Sequence, residues 1–465
     1  MGVSTAEVAR RAGVHRDTLL RWLRRGLVQE PGRDRHGWRT FSEVQTQAVI
    51  AFAGSSWEAP ATALPSREPE PPRYVRPLQA IDWDFRDAKT NYLTHRIHSY
   101  PAKFIPQIPN ALIQELSSVG DTVGDIFCGS GTTLVEALTL KRHAVGIDAN
   151  PLACLIAKSK TTALEEADVE ALQALAAKSR AFGESILVSS EDGDLFPTER
   201  FASSAWRPNQ DKLTFWFDAH VIEELAEALQ WCQELPSEAA RDLALTSLSS
   251  IIVTVSRQDS DTRYVRRKKN NPQGETMRRF SRALEQATLA VVEFTDIAEP
   301  RFQRHIIEAN LLDAPPIPRL DLVVCSPPYP NAYSYHLYHQ NRMIWLGMNQ
   351  PKFKREEIGS HRKYSSAGIN GATADTFRNE FACIFQWLAR HIKRSGHACF
   401  VIGNSTLKGK TYDNADILSE VSRTAGFREI VRITRTMQST KKAFNPVIGK
   451  IKREQILVLQ NVRGT

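Results

Sequence analysis

The stretch DTVGDIFCGSGTTLVEALTLKRHAVGIDANP, residues 121–151, decides the fold of this chain. An apolar strand over 123–127 runs into a short loop that contains Gly129 and Gly131, and an amphipathic helix over 132–140 follows. Glycines between a strand and a helix let the backbone approach a ligand closely. The pattern therefore predicts the first half of a nucleotide-binding α/β sheet.

A second strand, 144–147, ends in Asp148, and a further helix is predicted to begin at Pro151. An acidic residue about twenty positions after the glycine loop is placed to bind ribose hydroxyls. Leu134 replaces the third glycine of the dinucleotide fingerprint, and no lysine follows the loop. A Walker-type phosphate loop is therefore disfavoured, and a purely structural strand-to-helix turn is the weaker alternative.

Composition sets the outer bounds. A chain of 465 residues predicts two or three domains, and 42% hydrophobic with 24% charged residues is typical of a globular protein. The formal charge of +8 favours a polyanionic partner. Six cysteines without a C-x-x-C pair predict a reducing cytoplasm and no metal site. No signal peptide or membrane-spanning run is predicted.

Residues 1–53 form a separate predicted domain. Ser4 or Thr5 caps a first helix, Gly13 makes a turn, and a second helix follows with leucines on its inner face. With the later stretch GWRTFSEVQTQAVIAF, this pattern resembles the winged helix-turn-helix of MerR-type regulators. The resemblance implies that the second helix enters a DNA groove, with phosphate contacts from Arg21, Arg24 and Arg25. A small helical module that docks a protein is the alternative, and residues 54–80 are predicted to be a proline-rich linker.

The string DIFCGSGTT, residues 125–133, resembles the first cofactor motif of class I S-adenosylmethionine-dependent methyltransferases. The likeness is strongest to enzymes that modify exocyclic amino groups of DNA bases. It implies the α/β class, with a Rossmann-like methyltransferase sheet, and S-adenosylmethionine as the cofactor. The cofactor contacts that it implies are Asp125, Phe127, Gly129, Gly131, Thr132 and Asp148. Two weaker matches add Lys103 and Phe104, in HRIHSYPAKF, and Asp313, taken as the end of a third strand in HIIEANLLD.

The stretch DLVVCSPPYPNAYSY, residues 321–335, ends an apolar strand in Ser326, Pro327, Pro328 and Tyr329. It resembles the (Asp/Asn/Ser)-Pro-Pro-(Tyr/Phe/Trp) motif of amino-methyltransferases, in which serine in first position is commonest among cytosine-N4 enzymes. The resemblance assigns these four residues to catalysis.

The residue types suit that chemistry. An exocyclic amine is a poor nucleophile because its lone pair is delocalised into the ring, and acceptors for its two hydrogens favour the reactive geometry. The Ser326 hydroxyl and the Pro327 carbonyl are predicted to be those acceptors. Tyr329 is predicted to stack on a base that has swung out of the helix.

Cys325, which precedes this motif, could suggest the thiolate attack of carbon-5 methylation. That chemistry uses a Pro-Cys dipeptide, which the chain lacks. Strand alternation from Ser326 turns Cys325 into the sheet, so a buried and inert thiol is expected.

The domain order has the glycine loop first and Ser-Pro-Pro-Tyr later. The predicted methyltransferase core covers 81–160 and 300–465, and a mainly helical insertion, 161–299, separates its two parts. The insertion contains a basic stretch that is interpreted as DNA-binding or, alternatively, as a solvated face: Arg263, Arg266, Arg267, Lys268 and Lys269. The stretches GHACFVIGN and REQILVLQN are predicted as later strands, the latter paired with EIVRITRTM.

The sequence therefore predicts a site-specific methyltransferase of double-stranded DNA that modifies the N4 amino group of cytosine. Restriction-modification or phage defence is the expected setting, with a separate defence protein as a partner. Adenine-N6 methylation and an RNA substrate remain alternatives. From another class comes a DNA-binding regulator that only senses S-adenosylmethionine, although a sensor has no need of base-facing groups such as Ser326 and Tyr329.

Overall fold

The computed structural model describes residues 2–14, 19–20, 22–23, 27–33, 39–54, 75–191, 204–208, 213–331, 333–365, 371–436 and 453–463. The chain divides into two compact units, Met1–Glu70 and Pro71–Thr465. This division falls inside the predicted linker, residues 54–80.

The first unit packs short elements around a small core. Its described elements are β1 (Val3–Ser4), α1 (Thr5–Arg11), β2 (Gly32–Arg33), β3 (Arg39–Phe41) and α2 (Glu43–Gly54). The strands pair antiparallel in the order β1-β3-β2. The Ser4 hydroxyl accepts a hydrogen bond from the Glu7 amide at 3.3 Å, which confirms the predicted cap. Arg21, Arg24 and Arg25 lie outside the described residues.

The second unit begins with elements that lead into the sheet and the insertion. In chain order they are α3 (Val75–Ala80), α4 (Gln107–Leu116), β4 (Thr122–Asp125), α5 (Thr132–Thr139), β5 (His143–Asp148), α6 (Pro151–Thr161), α7 (Glu166–Glu191), α8 (Leu213–Trp216), α9 (Ala219–Gln233), α10 (Glu238–Val255), β6 (Gln258–Ser260), β7 (Arg263–Arg266) and α11 (Glu275–Thr295).

The remaining elements complete the sheet. They are β8 (Arg304–Glu308), β9 (Leu320–Cys325), α12 (Tyr335–Tyr338), α13 (Gln340–Trp345), α14 (Gln350–Glu356), α15 (His361–Ser365), α16 (Ala374–His391), β10 (Ile392–Gly403), β11 (Ser405–Leu407), β12 (Lys410–Tyr412), α17 (Asn414–Thr424), β13 (Phe427–Thr436) and β14 (Arg453–Asn461).

Seven strands form the main sheet in the order β13-β14-β10-β9-β4-β5-β8. The pairs from β10 to β8 are parallel, and β14 runs antiparallel to both of its neighbours. Because the parallel strands are covered by helices, their residues are apolar and buried, as in Val323 and Val324. The arrangement confirms the predicted α/β class with a Rossmann-like sheet, and the predicted pairing of β13 with β14.

The insertion between β5 and β8 has a hydrophobic core of its own. Helices α7 to α11 bury residues such as Leu172, Leu225, Leu248 and Phe280 against one another. The described part of the insertion is mainly helical, as expected, but it also contains the antiparallel hairpin β6–β7. Strand β7 of this hairpin contains Arg263 and Arg266, the first two residues of the basic stretch.

The end of the predicted linker is structured. Helix α3 covers residues 75–80, and Leu78 is fully buried in the core beneath the sheet. The indole of Trp83 donates a hydrogen bond to the Leu78 carbonyl at 2.8 Å. These last six residues of the 54–80 segment therefore belong to the second unit, because an apolar side chain that packs against the sheet outweighs the local polar composition.

Candidate active site

Three neighbouring parallel strands end at one edge of the sheet. β4 ends at Asp125, β5 at Asp148 and β9 at Cys325. Since β4 pairs with both β5 and β9, the loops that follow the three strands lie side by side. Ligands of open α/β sheets bind at this carboxyl edge.

The glycine loop is held tightly against the end of β5. The Gly129 amide donates a hydrogen bond to Asp148 Oδ2 at 2.9 Å. Gly131 has a φ of +77°, and a Cβ atom there would lie 3.0 Å from the Cβ of Ala157 on α6. Gly131 is thus required both by its backbone conformation and by the close approach of α6.

The carboxylate of Asp148 bridges two loops. Its second oxygen, Oδ1, accepts a hydrogen bond from the Asn150 amide at 2.8 Å. Burial raises the pKa of Asp148 to about 6, while the two backbone amides act in the opposite direction. Each oxygen keeps further acceptor capacity, so the carboxylate can also bind ligand hydroxyls.

These loops surround a cavity of about 800 Å³, its open mouth included. Predicted site residues that line it are Lys103, Phe104, Phe127, Gly129, Thr132, Asp148, Ser326 and Pro328. The cavity is also lined by residues that sequence patterns did not single out, namely Tyr100, Asn310, Leu311, Tyr335, Phe353 and Glu357. The two motifs, which lie far apart in the sequence, therefore share one cavity.

Asp125 lies beneath the glycine loop and is not among the cavity-lining residues. Its carboxylate accepts hydrogen bonds from Thr133 Oγ1 at 2.7 Å and from the Phe127 amide at 3.1 Å. Only 1% of its surface is exposed, and burial raises its pKa to about 7. The side chain braces the loop from inside.

The third strand ends earlier than the sequence predicted. β8 ends at Glu308, and Asp313 is instead the last residue of a 3-10 turn, Leu311–Asp313. The Asn310 side chain starts that turn by accepting a hydrogen bond from the Leu312 amide at 3.1 Å. Asp313 is exposed, whereas Asn310 and Leu311 line the cavity.

Aromatic residues cover the other side of the glycine loop. The Tyr100 ring lies 3.3 Å from the place that a Cβ of Gly129 would occupy, and its hydroxyl accepts a hydrogen bond from the Asn150 amide group at 3.2 Å. Tyr335 stacks on Tyr100 with ring centres 5.9 Å apart. Lys103 donates a hydrogen bond to the His95 carbonyl at 2.9 Å, and burial lowers its pKa.

Tyr329 is anchored by its hydroxyl. The hydroxyl donates a hydrogen bond to Glu454 Oε1 on β14 at 3.0 Å. Glu454 also pairs with Arg435 on β13 at 2.7 Å. Burial raises the pKa of Tyr329 well above its usual range, and the Glu454 carboxylate raises it further. Pro327 is buried, and neither Pro327 nor Tyr329 is among the lining residues of the cavity.

Cys325, the last residue of β9, is fully buried. Burial raises the pKa of its thiol well above the usual range, and the nearby Asp125 adds to the effect. A protonated thiol inside the sheet is a poor nucleophile, in agreement with the expectation of an inert side chain.

The basic residues of the insertion lie on or just after the β6–β7 hairpin. Arg263 and Arg267 both pair with Asp259, at 3.2 and 3.4 Å. Arg266 lies over the Phe215 ring at 4.7 Å, and Lys269 donates to the Val253 carbonyl at 2.7 Å. Lys268 is exposed. The cations therefore differ: the Lys269 side chain caps the C-terminal end of α10, whereas the others remain largely on the surface.

Across the part of the chain that the structure describes, no cluster of three or more His, Cys, Asp or Glu residues is arranged to hold a metal ion. Within that same part, no helix combines the length and the apolar character needed to cross a membrane.

Two family models match the chain. Residues 47–159 match the N6/N4 DNA methylase family, and residues 4–41 match the MerR family of regulatory proteins. The first match includes the glycine loop and Asp148, and it ends before the insertion. Over residues 47–159 the chain is similar to DNA methylases.

Individual relatives agree with the family match. Type II methyltransferase M.MvaI from Kocuria varians is 30% identical over 175 residues, which cover 37% of this chain. Type II methyltransferase M.MjaII from Methanocaldococcus jannaschii is 37% identical over 99 residues, or 20% of this chain. The chain spans 36% and 18% of the lengths of these two relatives. Among solved structures, TrmN from Thermus thermophilus is similar with a TM-score of 0.28 and 10% identity, over 77% of this chain and 49% of that one.

Proposed function

We propose that this protein is a site-specific DNA methyltransferase that methylates the exocyclic N4 amino group of cytosine in double-stranded DNA. The observation that carries the proposal is that Ser326 and Asp148 line a single cavity. One belongs to the predicted catalytic motif and the other to the predicted cofactor site. The match of residues 47–159 to DNA methylases supports the same assignment.

The residues of the cavity fit S-adenosylmethionine, which supplies a methyl group on a positively charged sulfur. Asp148 is half-buried and keeps acceptor capacity for ribose hydroxyls. The Gly129 loop brings its backbone to the cavity wall without a side chain in the way. Lys103 and Phe104 would contact the methionine end. Asn310, which lines the cavity, would make the cofactor contact predicted for Asp313.

The chemistry of the motif concerns the hydrogens of the target amine. The Ser326 hydroxyl and the Pro327 carbonyl accept these hydrogens, which favours a pyramidal nitrogen with its lone pair available. The new N–C bond would form as the S–CH₃ bond of the bound cofactor breaks and leaves a neutral thioether, and the positively charged nitrogen would then release one hydrogen as a proton to water. Tyr329 stacks on the flipped base in this proposal.

The DNA contacts are assigned to two regions. Phosphates would be bound by the exposed cations on and just after the hairpin, namely Arg263, Arg266, Arg267 and Lys268. This role would explain why four cations are exposed together on the second unit. The MerR-like domain would add contacts from Arg21, Arg24 and Arg25. A restriction-modification or defence setting with a separate partner protein is part of the proposal, and the similarity to two type II methyltransferases supports the setting.

Mass analysis of nucleosides tests the proposal. DNA from cells that express the chain is digested and compared with DNA from cells that express the Ser326→Ala variant. We expect N4-methylcytosine only with the wild-type chain. N6-methyladenine in its place would establish the adenine alternative, since serine in first position does not by itself reject adenine. An absence of both would overturn the proposal.

A second candidate, a DNA-binding regulator that senses S-adenosylmethionine, is favoured by the MerR match at residues 4–41. A sensor needs the Asp148 side of the cavity and has no use for Ser326. Cofactor binding by a chain that leaves DNA unmodified, with a DNA affinity that changes on binding, would establish this alternative.

A further inference from the structure

Glu357 is a buried carboxylate in the cavity that Asp148 and Ser326 also line. The residue directly follows α14 and is 4% exposed. Its Oε1 atom accepts a hydrogen bond from the Tyr335 amide, and its Oε2 atom accepts one from Nδ1 of His336, each at 2.5 Å. An ionised carboxylate accepts about four hydrogen bonds, so both oxygens keep acceptor capacity. The cavity therefore contains an acidic group to which the proposed chemistry assigns no role.

The segment that carries Glu357 packs against the Ser-Pro-Pro-Tyr loop. Gly359 has a φ of +75°, and a Cβ atom there would lie 2.9 Å from the Tyr329 carbonyl oxygen and 3.1 Å from the Cβ of Pro328. The Asn331 amide donates a hydrogen bond to the Gly359 carbonyl at 3.1 Å. The segment is thus held directly beside the loop that is assigned to catalysis.

This position determines which part of the cofactor comes near Glu357. In the proposed function, Ser326 accepts a hydrogen from the amine that receives the methyl group. The amine must approach that methyl group to about 3–3.5 Å before the bond forms. The positively charged sulfur is therefore expected on the side of the cavity where Ser326, Pro328 and Glu357 lie.

The charged groups that line the cavity are Lys103, Asp148, Glu356 and Glu357. Glu356 pairs with Lys352 at 3.7 Å, and Lys103 is assigned to the methionine end, whose carboxylate would offset its charge. Asp148 is held by two backbone amides, and Glu357 by one amide and an imidazole that carries its hydrogen on Nδ1 in the neutral form. Among the described residues, no lysine or arginine forms an ion pair with either of these two carboxylates.

We propose that Glu357 selects the cofactor by charge: its carboxylate attracts the sulfonium of S-adenosylmethionine and so favours it over S-adenosylhomocysteine, the neutral thioether that remains after transfer. The attraction between two charges acts over several ångströms and requires no direct contact. The inference rests on the proposed function and adds to it a residue that separates the methyl donor from its product. The same preference would help the spent cofactor to leave.

Glu357→Gln tests this role, because it removes the charge and nearly keeps the size of the side chain. Titration calorimetry of the full chain at pH 7.5 measures Kd for S-adenosylmethionine, for S-adenosylhomocysteine and for sinefungin, in which a carbon with a protonated amine replaces the sulfur and its methyl group. We expect the Kd values of the two charged ligands to rise about three- to thirtyfold relative to that of S-adenosylhomocysteine. A purely structural defect weakens all three ligands equally and leaves this ratio unchanged.

Two variants serve as controls. Glu357→Asp keeps the charge and should keep the wild-type ratio. Glu224→Gln makes the same chemical change at another fully buried carboxylate, which accepts a hydrogen bond from the Gly274 amide at 2.8 Å and does not line the cavity. It should also keep the wild-type ratio. Thermal unfolding checks that each variant is folded, and Glu357→Gln combined with His336→Leu, in which the new amide no longer faces the imidazole, replaces the single variant if that one does not fold.

The outcomes are distinct. A wild-type ratio in Glu357→Gln, an equal loss for all three ligands, or an equal shift in Glu357→Asp or Glu224→Gln would overturn this role alone. Binding of none of the three ligands by the wild-type chain would overturn the cofactor assignment of the proposed function, and this role with it. A shift of the ratio in Glu357→Gln that is absent from both controls supports the assignment.

Discussion

Replacing Asp148 by alanine should weaken the binding of S-adenosylmethionine by about 1–3 kcal/mol, or about 5- to 150-fold in Kd. The carboxylate is placed to bind ligand hydroxyls, and it also orders the walls of the cavity. It holds the Gly129 amide at 2.9 Å and the Asn150 amide at 2.8 Å. Alanine removes the ligand contact and releases both loops, so the upper part of the range is expected. Titration calorimetry at pH 7.5 measures the effect directly.

Asp121→Ala provides the control for this experiment. Asp121 also accepts a hydrogen bond from a backbone amide, that of Ser118 at 2.7 Å. It directly precedes the first residue of β4, at the end of the strand away from the cavity. Its loss should leave the cofactor Kd within about twofold of wild type, as for a surface substitution away from the site. An unchanged Kd in a folded Asp148→Ala variant would refute the assignment of the cofactor site.

Four further results are expected. Because burial raises the pKa of Asp148 to about 6, the cofactor Kd should rise as the pH falls through that value, and Asp148→Ala should remove the inflection. The same raised pKa means that the folded chain binds this proton more readily than the unfolded chain. The stabilising contribution of the protonated group is therefore complete below about pH 3.8 and is lost as the pH rises through about 6; pH-dependent melts check the sign. Ser326→Ala should lower kcat on the order of a hundredfold with little change in cofactor Kd, and equal losses of both would point to a collapsed loop. Deleting residues 1–53 should leave a folded enzyme with the same target base, weaker DNA binding and a shallower salt dependence; sequencing the methylated sites would contradict this if the recognition sequence changed.

The parts of the site that could be predicted lie at the end of one β-strand each. Gly129, Asp148 and Ser326 each follow an apolar run, and the carboxyl ends of parallel strands meet at one edge. Local sequence therefore gives both the residue and its position. The later strands β10, β13 and β14 were predicted for the same reason, since each is an uninterrupted β-rich run.

The parts that could not be predicted depend on contacts between distant segments or on a polar side chain that competes with the backbone. Glu454 accepts a hydrogen bond from Tyr329, which lies 125 positions earlier in the sequence, and no local pattern around either residue predicts this contact. Asp313 was misplaced because Asn310 caps a turn and ends the strand early. Asp125 ends β4 two residues before the predicted end of that strand, and its side chain turns inward to Thr133 rather than to the cavity.

A buried polar network joins the insertion to the segment that follows Ser-Pro-Pro-Tyr. Gln258, on β6, donates to the Tyr338 carbonyl at 3.3 Å and accepts from Asn341 at 2.9 Å. Arg342 donates to the Ser249 carbonyl at 2.9 Å and pairs with Asp261 in the turn between β6 and β7.

Three of these side chains, Gln258, Asn341 and Arg342, are at most 1% exposed, so each would leave an unsatisfied buried group if the hairpin moved away. The hairpin therefore holds a defined position relative to α12 and α13, which follow Ser-Pro-Pro-Tyr in the chain. The insertion, which lies between β5 and β8 in the sequence, thus contacts the helices that follow β9. These contacts set the position of the hairpin and its cations relative to α12 and α13.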